Sequence, residues 1–129
     1  MHTFNAVTLY YRIMMNYHNR VFRSAESSSA APYSLLQVTF RQIGKVIIGE
    51  FSSESIQYGQ LLGEFTEYGI LQLYYHHVDN LGATEQGQCQ VFPETTHQKN
   101  LTVRIKWKST HPESRTSESQ LIERASSRH

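Results

Sequence analysis

Two tyrosines and two histidines stand side by side in "LQLYYHHVDN", residues 71 to 80, and these are the side chains best suited to chemistry. Histidine titrates near neutral pH, and a tyrosine hydroxyl both donates and accepts hydrogen bonds. Neighbouring side chains on a strand point to opposite faces, so His76 and His77 cannot ligate one metal ion without a bulge. A structural zinc site would also need several cysteines, and the chain has one. The sequence therefore predicts neither a metal nor a cofactor.

Other catalytic signatures are missing from the sequence. It contains no GxxxxGK[ST] loop, no GxSxG elbow, no HExxH and no EF-hand loop. Glu64 and Glu67 lie at the end of a predicted strand, where solvated carboxylates are normal. Glu50 lies on one face of a predicted strand, and the other face carries Ile47, Gly49 and Phe51. That second face is at least as apolar as the first, so we expect it to point inward and Glu50 to be exposed. No catalytic residue is assigned on this basis.

Short β-strands must position these residues. Runs rich in β-branched and aromatic residues recur along the chain and are separated by clusters of Gly, Pro, Asn, Asp and Ser, which is typical of strands and turns. The runs are Arg20 to Ser24, Leu35 to Gln42, Val46 to Ser52, Ile56 to Thr66, Ile70 to Val78, Gly87 to Phe92, Leu101 to Ser109 and Gln120 to Arg124.

Most links between these runs are too short for a crossover helix, so neighbouring strands are expected to be antiparallel. The fold class predicted is all-β, a single up-and-down meander of about eight strands that closes into a small barrel and thereby removes its edges. Residues 15–124 form this domain. We interpret residues 1–14 as an extension upstream of a start at Met15, the alternative being an amphipathic segment docked on the domain. Residues 125–129 are predicted to be a disordered tail.

Strand alternation predicts which side chains point inward. Leu101, Val103, Ile105 and Trp107 share one face and are predicted to be interior, with the intervening cations outside. On the "YYHH" strand, Leu71 and Leu73 carry Tyr75 and His77 inward by the same period, whereas Tyr74 and His76 meet solvent. His77 then lies near a barrel end, where the lumen meets water. The predicted ligand-binding residues are Tyr58, Tyr75, His77 and Trp107.

Charge and composition narrow the range of partners. The 12 Lys and Arg nearly balance the 11 Asp and Glu, giving a net charge of +1, so nucleic acid and anionic membrane are not expected partners. No apolar run approaches the ~20 residues that span a bilayer. The single cysteine, Cys89, excludes an internal disulfide and fits a reducing, cytoplasmic location. We expect it to be a small buried apolar residue.

Several short motifs resemble a family of small bacterial proteins often labelled N-acetylglutamate synthase. The resemblance covers most of residues 15–124, and relatives tend to carry an acidic residue at Ile105 and a second tryptophan at Ser109. It implies a lipocalin- or avidin-like antiparallel barrel and supplies no catalytic residues. The matching motifs are N-x-x-F-R at Asn19, Phe22 and Arg23, Y-G-Q-L at Tyr58 to Leu61, Y-x-H-V at Tyr75, His77 and Val78, and G-x-C with P-E at Gly87, Cys89, Pro93 and Glu94.

The synthase label disagrees with the residues. Acetyl transfer from coenzyme A in the usual fold uses R/Q-x-x-G-x-G/A at a strand-to-helix junction, whose backbone amides hold the pyrophosphate. The nearest string is "RQIGKV", which has Val46 in place of the final small residue and lies in a predicted hairpin turn. We therefore expect neither tight binding of acetyl-coenzyme A nor acetylation of glutamate.

Three functions remain open from the sequence. The first is a binding module whose barrel mouth or lumen holds an apolar or amphipathic small molecule. The second is an enzyme that uses His77 as acid or base beside a tyrosine hydroxyl. The third is a filled barrel that acts through its outer surface, with His77 in a structural role. An open lumen would favour the first function and a dry, filled lumen the third. A pocket that brings together a base, an acid and space for a substrate would favour the second.

Overall fold

The computed structural model describes residues 16–24, 32–94 and 101–124, and these form eight strands and no helix. The strands close into one barrel in sequence order. They are β1 (Arg20–Ser24), β2 (Gln37–Ile43), β3 (Val46–Ser52), β4 (Ile56–Phe65), β5 (Leu71–Asp79), β6 (Thr84–Glu94), β7 (Thr102–His111) and β8 (Arg115–Glu123).

Every strand pairs antiparallel with the next, and β1 pairs with β8 to close the barrel. At this seam Phe22 lies opposite Glu123, and Arg20 Nη1 donates to Glu123 Oε2 at 2.7 Å. The predicted all-β, up-and-down barrel is confirmed. Within the described ranges, no helix is long and apolar enough to cross a membrane.

Two strands begin earlier than the sequence pattern predicted. β6 starts at Thr84 rather than Gly87, and β8 starts at Arg115 rather than Gln120. Both additional segments are polar, because the inward positions Glu85 and Ser117 lie where the barrel opens to water. Backbone pairing extends these strands without the apolar alternation that reveals the rest of them.

The interior follows the predicted alternation. Val103, Ile105 and Trp107 are buried, and Leu101 is partly buried against the same core. On β5 the row from Leu71 to His77 is buried, whereas Tyr74 and His76 are exposed. Each large apolar side chain removed from water in this way contributes roughly 1.5 to 3 kcal/mol to the stability of the fold, before the entropic cost of ordering the side chain is subtracted. On β3, Glu50 is exposed as expected.

The two ends of the barrel differ. One end, here called the closed end, is sealed by Tyr17, whose ring packs against Phe22, Phe40 and Phe65 at centroid distances of 5.3 to 6.4 Å. The opposite end, here called the mouth, carries the β1–β2, β3–β4, β5–β6 and β7–β8 connections. Polar and titratable side chains reach the interior at the mouth.

Candidate functional site

Six side chains from four strands and one loop converge at the mouth, and we call them the mouth cluster. Alternation turns the strand members inward from β5, β6, β7 and the start of β8. The loop member comes from the β1–β2 connection. The cluster consists of Tyr33, Tyr75, His77, Glu85, Trp107 and Arg115.

Aromatic rings form one wall of the cluster. The Trp107 indole is fixed by a buried hydrogen bond from Nε1 to Ser119 Oγ at 3.0 Å. The Tyr33 ring stacks on the indole, with centroids 4.2 Å apart and planes at 9°. Tyr75 meets Trp107 edge-on at 5.1 Å. Because Ser119 already satisfies the polar edge of the indole, Trp107 contributes its face to the site, and the Tyr33 ring covers that face.

Glu85 links the polar members of the cluster. Its Oε1 accepts a hydrogen bond from Arg115 Nη2, a charge-assisted pair at the rim. Its Oε2 lies 3.5 Å from the Tyr75 hydroxyl and 3.8 Å from His77 Nε2. The carboxylate therefore stands between an exposed cation and two buried groups that can donate or accept a proton.

His77 is buried without a hydrogen bond. Only 5% of the residue is exposed, and neither ring nitrogen has a hydrogen-bond partner within the described residues. Leaving a buried polar group unsatisfied costs about 1 to 3 kcal/mol. Burial lowers the pKa of His77 below its usual value, against the opposing influence of Glu85. The imidazole is thus neutral at pH 7 and presents one donor and one acceptor.

The two tyrosine hydroxyls remain protonated. Burial is the main cause that raises the pKa of Tyr75 to about 12. Burial, and then the neighbouring Tyr75 hydroxyl, raises the pKa of Tyr33. Cys89, deeper in the barrel, is buried as predicted, and burial raises the pKa of its thiol, so it is not an activated nucleophile.

The segment that carries Tyr33 is tied to the β3–β4 turn. The Pro32 carbonyl accepts hydrogen bonds from Ser53 Oγ at 2.6 Å and Ser55 Oγ at 3.1 Å. The Ser34 carbonyl accepts from the Glu54 amide at 2.9 Å. These bonds anchor the backbone on both sides of Tyr33, whose ring lies over Trp107.

A cavity of about 230 Å³ lies beside the Tyr33 ring. It is bounded by the aromatic wall on one side and by Glu85, Ser109 and Arg115 on the other. Ligand pockets usually measure roughly 300 to 1,000 Å³. Below this cavity the described interior is filled by side chains.

Three of the four predicted ligand-binding residues meet here. The Tyr75 ring contacts both the His77 ring and the Trp107 ring. The role of these three residues in binding stays a prediction. Tyr58 lies outside the mouth cluster, and its role in binding also stays a prediction. It is 41% exposed, and its hydroxyl donates to Glu50 Oε2 at 2.8 Å. A register shift between Ile56 and Tyr58 turns Tyr58 to the outer face.

The predicted separation of the two histidines is observed, with His76 exposed and His77 buried. Across residues 16–24, 32–94 and 101–124, no group of three His, Cys, Asp or Glu side chains could hold a metal ion.

Sequence reasoning missed Tyr33, Glu85 and Arg115. All three fall in segments interpreted as links. Counting the inward row backwards from Cys89 through Gly87 would have reached Glu85. No comparable local signal marks Tyr33, because its position depends on a loop folding over the barrel.

Comparison with known proteins agrees with this architecture. The family model described as avidin-like protein matches residues 15–124. No curated protein and no solved structure shows significant similarity to the chain.

Proposed function

The chain belongs to the avidin-like protein family, and on this basis we propose that it binds a small amphipathic molecule at the barrel mouth. Barrels of this family typically bind small molecules. An eight-stranded barrel has an interior just wide enough to be filled by side chains or to hold one small ligand. In this chain the described lumen is filled, and the cavity at the mouth lies against buried polar groups, which favours the mouth as the place for a ligand.

His77 carries this proposal. A histidine buried with both nitrogens unsatisfied lowers stability unless another molecule supplies the missing hydrogen bonds. His77 lies at the mouth, 3.8 Å from a carboxylate oxygen of Glu85. A ligand that inserts a polar group between them would satisfy both side chains.

The rest of the mouth cluster indicates the kind of ligand. Trp107 contributes an apolar face, which the Tyr33 ring covers in this structure, and Tyr75 and Glu85 carry hydrogen-bonding groups beside it. Because Arg115 already pairs with Glu85, the site carries little uncompensated charge. A molecule with an aromatic or apolar body and one polar end fits this arrangement better than a polyanion.

A screen of amphipathic small molecules by native mass spectrometry and thermal shift tests the proposal. A ligand present at 100 times its Kd stabilises the folded protein by about 2.7 kcal/mol, which raises Tm by on the order of 10 °C. We expect His77→Ala and Trp107→Leu each to weaken binding at least tenfold.

The matched control is His76→Ala, on the adjacent outward position of the same strand. It should leave binding unchanged, because His76 points away from the mouth. Equal effects of His76→Ala and His77→Ala on the Kd of the ligand would refute a site at the mouth, as would a ligand insensitive to Trp107→Leu.

An enzyme that uses His77 is the second candidate, and one observation favours it. Glu85 Oε2 lies within 4 Å of both the His77 imidazole and the Tyr75 hydroxyl, and a neutral imidazole can accept a proton at pH 7. Recovery of the screened ligand in chemically altered form, with turnover abolished by His77→Ala, would favour the enzyme. Unaltered ligand would favour binding alone.

N-Acetylglutamate synthesis is not part of this proposal. "RQIGKV" spans the β2–β3 hairpin, where Gly44 adopts a φ of 60° and β3 follows directly, so no helix amino end is available for a pyrophosphate. The comparisons support the barrel and not the synthase label.

A further inference from the structure

Tyr33 occupies the best stacking position in the mouth. Its ring lies parallel to the Trp107 indole at 4.2 Å, and it is 2% exposed. Its hydroxyl stands beside that of Tyr75, whose oxygen in turn lies 3.5 Å from Glu85 Oε2. The protein thus places a phenol, carried on its own loop, against the wall and the polar groups of the proposed binding site.

The volume of the cavity beside Tyr33 indicates how a ligand would reach the Trp107 ring. With Tyr33 in place the cavity beside its ring measures about 230 Å³, less than the roughly 300 to 1,000 Å³ of most ligand pockets. The cavity borders Tyr33, Trp107 and Tyr75, so moving the Tyr33 ring away would join its volume to the cavity. A ligand that stacks on Trp107 must take the place of Tyr33.

We propose that Tyr33 is a displaceable internal occupant of the binding site, and that the ligand is a neutral planar ring bearing a hydroxyl, a phenol or its heteroaromatic equivalent. This inference rests on the proposed function and specifies its ligand class. The ring would replace Tyr33 on Trp107, and its hydroxyl would meet Tyr75 and Glu85. A hydroxyl at that point also brings a donor and acceptor towards the unsatisfied His77, whose ring lies 6.2 Å from that of Tyr33.

The chemistry of the pocket favours the neutral form. Glu85 is a carboxylate, and a phenolate beside it would be repelled. Both resident tyrosines are kept protonated by the same surroundings. The stacking face selects a flat ring over an aliphatic chain.

The test uses p-cresol, the free counterpart of the tyrosine side chain, on the full chain and its variants. An internal occupant reduces the apparent affinity of a competing ligand by the fraction of time that the site is open. With about 1 to 10% open, Tyr33→Ala should bind p-cresol roughly 10- to 100-fold more tightly than the wild type. Tyr33→Phe keeps the stacked ring in place, so it should bind no better than the wild type.

Two comparisons test the ligand class. In Tyr33→Ala, p-cresol should bind at least fivefold more tightly than toluene, because only p-cresol offers a hydroxyl to Tyr75 and Glu85. Phe22→Ala removes a fully buried ring from the aromatic cluster next to the closed end and should show no such preference. Quenching of Trp107 emission, from the chain's one tryptophan, locates the bound ring.

Tyr33→Leu provides a second variant if Tyr33→Ala does not fold, since leucine preserves apolar packing and removes the ring. Equal p-cresol affinity in the wild type, Tyr33→Phe and the ring-less variant would overturn the inference, as would a folded ring-less variant that binds no p-cresol. A screened ligand that depends on Trp107 but gains nothing from loss of the Tyr33 ring would leave the proposed function standing and overturn only this inference.

Discussion

At the scale of single residues, the burial of His77 links stability to pH. Its pKa is lowered in the folded protein, so the unfolded chain binds the proton first as pH falls. The free energy of unfolding is therefore unaffected by protonation of His77 above about pH 6.5, where the imidazole is neutral in both states. It decreases as pH falls from there towards the lower folded pKa, because the unfolded chain takes up the proton first. In that window the loss amounts to at most about 1.4 kcal/mol per pH unit.

We therefore expect His77→Phe to flatten the dependence of the unfolding free energy on pH between 7 and 5, measured by urea denaturation. The groups that act on His77 are Glu85, Asp79, Arg115 and His76, and all remain in this variant. His76→Phe, at the exposed neighbouring position, should keep the wild-type slope. A slope unchanged by His77→Phe would mean that folding does not lower the pKa of His77.

At the scale of strands, Gly59 on β4 supports the aromatic wall. A Cβ at this position would overlap the Phe51 ring, which lies over the glycine from β3. Phe51 in turn contacts Trp107 at 5.2 Å and His77 at 5.8 Å between ring centroids. The absence of a side chain at Gly59 therefore sets the position of Phe51 within the wall.

Gly59→Ala should lower the free energy of unfolding by about 1 to 3 kcal/mol, as overpacking of a core does. It should also shift the emission maximum of Trp107, because Phe51 must move. Gln60→Ala, on the outer face of the same strand, should change stability by no more than about 0.5 kcal/mol. A fully stable Gly59→Ala with unaltered emission would contradict the close packing described here.

The strands show what sequence could and could not predict. Apolar alternation placed Leu71 to His77 and Val103 to Trp107 correctly, since burial enforces a period of two. The outward orientation of Tyr58 was not predicted, because a bulge shifts that period by one residue and nothing in the local sequence marks the bulge. The strand positions of Glu85 and Arg115 were not predicted, because strand ends that face water at the barrel mouth need no apolar residues. Tyr33 depends on contacts with residues more than 40 positions away, which no local pattern records.

At the scale of the whole molecule, Tyr17 anchors the described residues that precede β1 to the closed end. Tyr17 is fully buried, and its amide donates to Gln42 Oε1 at 2.9 Å. The sequence predicts that residues 1–14, which lie outside the described residues, are an extension. Their removal should therefore change Tm little, corresponding to about 0.5 kcal/mol or less.

A longer truncation, through His18, provides the control because it removes Tyr17. Loss of a buried aromatic ring costs about 3 to 5 kcal/mol, so Tm should fall by roughly 10 °C or more. Calorimetry of the two truncations compares them directly. A large fall in Tm on removing residues 1–14 alone would show that this segment docks on the barrel.

The closure of β1 on β8 has a consequence for tethering. The chain enters β1 at Arg20 and leaves β8 at Glu123, side by side at the closed end, while the mouth opens on the opposite side. An attachment made before β1 or after β8, whether a fusion partner, an affinity handle or a solid support, would hold the barrel by its base. Immobilised in this way, the domain would present to solution the mouth, where we propose that a ligand binds.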